Sequence, residues 1–358
     1  MDSDRPLHQP EYCIDTLRDD LSADQFREWY RERQYRRNIE NGTPFFNEYG
    51  YIPEPERHTP SKLLQCHRKI FYRQHNAPAE RPDPDGVFWF GNRFEEDILF
   101  PYLQDVTCEL DWYVCNSIWI DFTAEVDDVE VRIKGATDPV IVDSDATPVL
   151  PTEAKTKESL DSLNSPSEHH LAQLHAYLAG LSEKYDIKLS SGTLVYGSRK
   201  SLEVKFFDVE FDEDFWNETV LKWARKHTQY RSNDELPPSN PEQHWECQFC
   251  EYRERCGKGE AEQNNMGVSG FLSGFRGYPR EKVVEYLEAD PDAKLTPTLA
   301  QQFPRLAAEY EVAVWKCDKC SSAVEPDLIE DSKDPLCPVC ADRGDLSHLS
   351  LSSAGDLA

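Results

Sequence analysis

The apolar positions change period several times along the chain, and each change marks an element. Residues from Ser22 to Asn41 follow a helical period: Ser22 caps the start, Gln25 completes a capping box and Gly42 lies just past the end. A second helix is expected from Thr59 or Ser61 through Tyr72. From Thr107 to Lys155 the period falls to two, giving short β runs TCELDWYVC, SIWIDF, VEVRIKG, PVIVDS and PVLPTEAK, with turn residues such as Asp127-Asp128 and Asp143-Ser144-Asp145 between them. A helix over Ser167–Leu181, two strands in GTLVYGS and LEVKFFDVEF, and a helix over Asp214–Tyr230 follow. This order predicts an α/β fold, a mixed sheet with helices on its faces.

After Cys256 the stretch GKGEAEQNNMGVSGFLSGFRG reads as a linker, so a boundary is placed near Gly257. Helical patterns in REKVVEYLEA and LTPTLAQQFPRLAAEY then lead into EVAVWKC. Two helices and a strand are enough for a small unit of winged-helix type. The pattern divides the chain into an N-terminal helical extension (1–58), a main domain (59–257), a linker and helical unit (258–310), a cysteine-rich module (311–342) and a disordered tail (343–358).

Composition narrows the setting. The 358 residues hold 67 acidic and 39 basic side chains, a net charge of −28, which at face value opposes binding to phosphate backbones. The acidic residues are spread through every segment, lysines are few relative to arginines, and there are only two methionines. That pattern points to a halophilic source, where salt screens the repulsion and charge says little about the ligand. The basic residues Arg27, Arg31, Arg33, Arg36 and Arg37 of the first helix either pair with nearby carboxylates or contact phosphate. No apolar run is long enough to span a bilayer and MDSDRPLHQP has no secretory design, so a cytoplasmic protein is expected.

Eleven cysteines in a reducing compartment argue for metal ligation over disulfides. Cys66 stands alone in SKLLQCHRKIFY, whereas Cys247, Cys250 and Cys256 crowd into WECQFCEYRERC. Those four can meet only if the intervening chain folds as one unit, and their spacing leaves iron–sulfur and zinc both open. Cys317-x2-Cys320 and Cys337-x2-Cys340, with 16 residues between the pairs, have zinc-ribbon spacing. Cys13, Cys108 and Cys115 are read as small buried side chains.

In GATDPVIVDSDATPVLPTEAKTK, Asp138 heads one apolar strand, and Glu153 and Lys155 end the next on the same side. Two carboxylates can hold magnesium or manganese while the lysine stabilises charge on a phosphate. Gln173 and Tyr177 share one face of the following helix, where ordinary packing would also explain them.

With these motifs in order (SKLLQCHRKIFY, GNRFEED, GATD, EAK, QLHAY and CQFCEYRERC), the chain resembles PD-(D/E)XK nucleases of the RecB-like branch that carry an iron–sulfur cluster. These include the CRISPR-adaptation exonucleases and the nuclease domains of helicase–nuclease repair complexes. The resemblance covers about Thr59–Gly257. It implies a restriction-endonuclease-like fold, with Asp138 and Glu153 as metal ligands, Lys155 as catalytic lysine, and Gln173 and Tyr177 near the DNA. It also implies a [4Fe–4S] cluster on Cys66, Cys247, Cys250 and Cys256. Related chains place a histidine four residues after the glycine equivalent to Gly91; here that place holds Glu95, followed by Glu96, and a carboxylate can still bind a divalent ion. The leading expectation is a DNA exonuclease with Mg or Mn, a structural cluster and a zinc ribbon, working with protein partners in repair or CRISPR adaptation. The competitors are an inactive nuclease-fold DNA-binding or scaffolding subunit, and a transcription-associated factor with two zinc modules.

Overall fold

The computed structural model of the chain describes residues 23–40, 51–260, 267–324 and 335–351. Met1–Tyr51 and Ile52–Ala358 are separate compact units. In the first, helix α1 spans Ala23–Glu40; the capping residue Ser22, Asn41, Gly42 and Cys13 lie outside the described residues. Arg36 pairs with Glu32 at 2.8 Å and the Arg33 guanidinium lies 5.4 Å from the Trp29 ring centre, so these two basic residues have partners on their own helix.

The second unit is a mixed α/β structure with mixed sheets flanked by helices, the restriction-endonuclease-like architecture. Strands β2 (Tyr113–Cys115), β5 (Val140–Val142), β6 (Pro148–Lys157), β7 (Ser191–Ser198) and β8 (Val204–Glu210) form a sheet in the order β2-β5-β6-β7-β8. Only β6 and β7 are parallel, joined across helix α5 (Glu168–Tyr185). A smaller sheet takes β1 (Arg57–His58), β4 (Val129–Ala136) and β3 (Trp119–Val126), in that order. Helix α5 lies between the sheets. Its Ala172, Leu174, Tyr177, Leu178 and Leu181 share one core with Val140, Val142 and Leu194 of the large sheet and Ile120, Phe122, Val131 and Ile133 of the small one. Gly180 lets the helix approach this closely, because a Cβ there would meet the Phe122 ring at 2.8 Å and Ile120 at 2.9 Å.

The opposite face of the large sheet is covered by a long helical run: α3 (Asp85–Phe94), a wider turn over Glu95–Leu99, and α4 (Phe100–Thr107). Phe94, Leu99 and Leu103 pack there on Val114, Ile141 and Val195. Both faces of the central strands are therefore covered by helices.

Several expectations change. The helix predicted through Tyr72 is broken: a short turn at Pro60–Lys62 gives way to Leu64 at φ 58°, and helix α2 (His67–Gln74) starts only after Cys66. The left-handed Leu64 ends the first turn and leaves Cys66 as the residue preceding a new helix. In TCELDWYVC only Tyr113–Cys115 is strand, because Thr107 closes α4 with its hydroxyl on the Leu103 carbonyl. Cys108 is exposed and Cys115 only half-buried, so neither is the buried side chain expected. In the helical unit, α7 (Arg280–Ala289) forms as expected, but the following helix splits into α8 (Pro297–Gln302) and α9 (Pro304–Glu309), because Pro304 has no N–H to continue the ladder. Within the tail expected to be disordered, β11 (Leu349–Leu351) forms and pairs with β9 (Trp315–Cys317), and residues 352–358 lie outside the described residues.

Helix α6 (Lys222–Ser232), continuous with a wider turn over Phe215–Leu221, brings Trp223 and His227 against α2. The His67 ring stacks on Trp223 at 4.6 Å and on His227 at 5.4 Å, and His227 Nε2 meets Gln74 Oε1 at 2.7 Å. His58 Nε2 lies 2.9 Å from Thr228 Oγ1. Burial, with Arg231 and His67 nearby, drops His58 from 6.5 to about 3, and burial likewise lowers His227. The unfolded chain thus binds protons below pH 6.5 that these folded histidines refuse, so stability falls as pH drops from about 6.5 towards 4. For His58 alone the loss by pH 5 is about 2 kcal/mol. Thermal unfolding at fixed high salt is expected to show a lower Tm at pH 5 than at pH 7, with the slope reduced in His58→Gln. A flat Tm over that range contradicts this.

Candidate active site and cysteine centres

Asp138 precedes β5, and the β5–β6 pairing sets it beside the middle of β6. Val140 faces Pro151, the Thr152 N–H donates to the Pro139 carbonyl at 3.0 Å, and the Ala154 N–H donates to Asp138 Oδ2 at 2.8 Å. Alternation along β6 puts Glu153 and Lys155 on one side, where the Lys155 ammonium contacts Glu153 Oε1. Glu153 is fully buried, with the Lys155 ammonium and the Tyr177 hydroxyl as its hydrogen-bonding neighbours. Two such contacts leave lone pairs of the buried carboxylate for a further cation.

The third carboxylate comes from the opposite side of the sheet. The wider turn at Glu95–Leu99 points Glu95 at the pair, while Glu96 turns to Arg93 at 2.8 Å. Burial raises the Glu95 pKa, and Asp138, Glu153 and Glu96 raise it further. Burial and then Asp138 push Glu153 up to about 8, against the pull of Lys155; Asp138 is raised by burial. Burial disfavours the Lys155 charge, but Glu153, Asp138 and Glu95 outweigh it and hold that pKa above the usual lysine value. Three carboxylates with raised proton affinity, Glu95 and Glu153 in part through their acidic neighbours, surround the Lys155 ammonium and give the pocket excess negative charge. Hard oxygen donors in that state fit a divalent cation.

Helix α5 roofs this pocket. Gln173 and Tyr177 are both buried, and Gln173 Nε2 donates to Tyr177 Oη at 2.8 Å. Burial, Glu153 and Asp138 all hold the Tyr177 hydroxyl protonated well beyond its ordinary range. Sequence reasoning missed the other wall. Tyr196 of β7 is the register partner of Lys155, and its hydroxyl lies 2.7 Å from His170 Nδ1, which also meets Ser167 Oγ at 3.0 Å. No spacing rule links Lys155 to Tyr196, because the parallel β6–β7 register exists only in the folded sheet.

The four cysteines of the main domain gather in one region. Cys66 immediately precedes α2, and Cys250 and Cys256 pack on the Tyr72–Tyr252 cluster. Arg68 Nη1 approaches Cys256 Sγ at 4.0 Å. Burial pushes the Cys250 thiol up to about 12, with Cys66 among the further causes; burial also raises Cys256, with Cys66 and Cys247 adding to it. Such a setting disfavours bare thiolates and favours thiolates bound to a cationic centre. Glu80 fastens the cysteine loop: its carboxylate accepts from the Glu254 and Arg255 N–H groups, each at 2.7 Å.

The second group is tighter. Cys317, Cys320, Cys337 and Cys340 hold sulfurs that all lie within 4.8 Å of one another, the group among the described residues built on single-ion spacing. The Cys317–Cys340 and Cys320–Cys337 sulfur distances are 3.7 and 3.6 Å. Four sulfurs around one zinc at its usual bond length stand about 3.8 Å apart. The N–H groups of Cys320 and Cys340 donate to Cys317 Sγ and Cys337 Sγ at 3.5 and 3.4 Å, and Ser347 Oγ lies 3.2 Å from Cys317 Sγ. Both knuckles hang on the three-stranded sheet β10-β9-β11, in which β10 is Ala323–Val324.

Residues 46–257, more than half of the chain, match the profile of the PD-(D/E)XK nuclease superfamily. The chain belongs to that superfamily. Nucleases of this superfamily use divalent metals, and membership implies DNA as the substrate class. Among solved structures, the chain is similar to one titled "Crystal structure of SSO0001", at 18% identity and a TM-score of 0.39, covering 62% of this chain and 94% of that one. No curated protein matches the chain. No helix among the described residues is long and apolar enough to cross a membrane.

Proposed function

We propose that this PD-(D/E)XK chain is a DNA nuclease, an exonuclease on single strands or duplex ends, in which Asp138, Glu153 and Glu95 hold Mg or Mn and Lys155 stabilises the reacting phosphate. The observation that carries the reading is the fully buried Glu153, paired with the Lys155 ammonium and flanked by two further carboxylates. A divalent ion held there would supply an activated water and neutralise charge developing on phosphorus. Lys155 donates to a non-bridging phosphate oxygen as that charge grows. Asp138 is oriented by the Ala154 N–H, and Tyr177, locked by Gln173, fixes the wall beside Glu153.

Cys66, Cys247, Cys250 and Cys256 belong, on this reading, to a structural [4Fe–4S] cluster of RecB-like type. A cluster of that type takes one thiolate on each of four irons, which four cysteines can supply. Cys317, Cys320, Cys337 and Cys340 are assigned to zinc. Work with protein partners in repair or CRISPR adaptation, in the cytoplasm of a halophile, completes the proposal. The test is manganese-dependent digestion of single-stranded and duplex DNA in molar salt by the parent and by Lys155→Met. Cleavage by the parent and its loss in the variant support the reading, whereas equal digestion by both refutes it.

A further inference from the structure

Trp245 and Phe249 stand out in the turn His244–Phe249, 58% and 69% exposed, their ring centres 6.2 Å apart. Large aromatic surfaces held in water disfavour the folded state, yet this turn is built to hold them out. A capping box links Gln243 and Glu246, whose side chain accepts from the Gln243 N–H at 3.0 Å. The segment leading into it is tied on two sides. Asn240 Oδ1 accepts from the His67 N–H at 3.3 Å and the Pro237 carbonyl accepts from Arg68 Nε at 2.6 Å, while Glu242 holds His169 at 2.9 Å and the Glu168 N–H at 3.3 Å.

That last tie leads to the reaction centre. The His169 ring lies tilted against His170 with centres 4.0 Å apart, His170 reaches the Tyr196 hydroxyl, and Tyr196 sits opposite Lys155. The Lys157 ammonium lies 5.8 Å from the Tyr196 ring. A chain of contacts therefore links the turn, through Glu242, His169 and His170, to Tyr196 beside Lys155.

We infer that Trp245 and Phe249 form a platform on which unpaired bases of a single strand stack while Lys157 and Lys155 meet its phosphates; this rests on the nuclease reading above. Two arguments select that occupant. With a net charge of −28 and phosphate attraction weakened in concentrated salt, affinity for nucleic acid must come from contacts that salt does not screen, and base–aromatic stacking is one. Bases inside a duplex are already stacked on one another, so exposed rings of this kind select strands that are unpaired.

The test is fluorescence anisotropy of a labelled single strand of about twelve nucleotides, without added divalent metal, in molar salt. Trp245→Ala and Phe249→Ala are each expected to weaken binding about 10-fold, and Trp245→Tyr to keep most of it. On a matched strand with abasic sites, parent and variants are expected to bind equally weakly. Unchanged iron content shows that the variants retain the cysteine centre. Manganese-dependent cleavage of bis(p-nitrophenyl) phosphate, which has no base, is expected to survive Trp245→Ala and to fail in Lys155→Met, so the platform and the catalytic assignment stand or fall separately. Equal affinity of parent and variants for the intact strand, or an equal loss on the abasic strand, overturns the platform. Loss of a co-purifying protein with DNA affinity intact overturns it in favour of a protein-docking surface.

Discussion

Glu153→Gln is expected to abolish detectable cleavage while leaving the metal-free protein as stable as the parent or more so. Lys155→Met is expected to slow cleavage by roughly 10²- to 10³-fold and to destabilise the fold. The two substitutions separate because of what each leaves behind. Removing Lys155 strips from three carboxylates the cation that steadies each of them and leaves a buried charge uncompensated, a change on the order of 3–5 kcal/mol if the pocket cannot take up a proton. The raised pKa of Glu153 means that it can, which lessens the loss. Glu153→Gln keeps the shape, removes a charge that raises Glu95, and ends the repulsion that Asp138 exerts on a charged Glu153. A stability gain paired with lost cleavage marks a site shaped for a reaction at the expense of the fold. The check is chemical denaturation alongside a nuclease assay; a marked loss of stability in Glu153→Gln would show that the carboxylate serves the fold.

The cysteine groups predict a second large contrast. Cys66→Ser is expected to remove the iron and destabilise the whole main domain, because Cys66 joins a segment ahead of the sheet to one that follows it. Closing a loop of that length is worth about 5 kcal/mol on chain-entropy grounds. Cys317→Ser is expected to remove zinc and unfold only the C-terminal ribbon, whose small core is built largely from the cysteines with Trp315, Val324 and Leu349. Elemental analysis of anaerobically purified protein is expected to give about four irons and one zinc per chain. Two zincs and no visible absorbance would replace the iron–sulfur assignment by a second zinc centre.

The sequence showed the parts of this protein more clearly than their assembly. Short apolar runs made β5, β6, β7 and β8 legible, and a helix was readable from Ser167. Its end was misplaced, since the helix continues to Tyr185 before Asp186 turns left-handed. The break at Leu64 was invisible because leucine carries no turn signal, and the split at Phe303-Pro304 was missed although proline announces it. Local pattern also gave no reason to remove β3 and β4 from the main sheet; that follows from α5 needing apolar partners on both sides. In the pocket, Glu153 and Lys155 are related by strand alternation and could be read from spacing. The choice of Glu95 over Glu96 depends on the wider turn that rotates one towards Asp138 and the other towards Arg93. His170 and Tyr196, brought together by long-range packing, left no local trace.

The central claim is that Glu95, Asp138 and Glu153 jointly hold a divalent cation beside Lys155. Its most direct test is a manganese titration followed by electron paramagnetic resonance on the parent, Asp138→Asn and Glu153→Gln, with no nucleic acid present. The account predicts one bound manganese in the parent, with proton release on binding, and no measurable binding in either variant. Manganese bound equally well by all three proteins would contradict it.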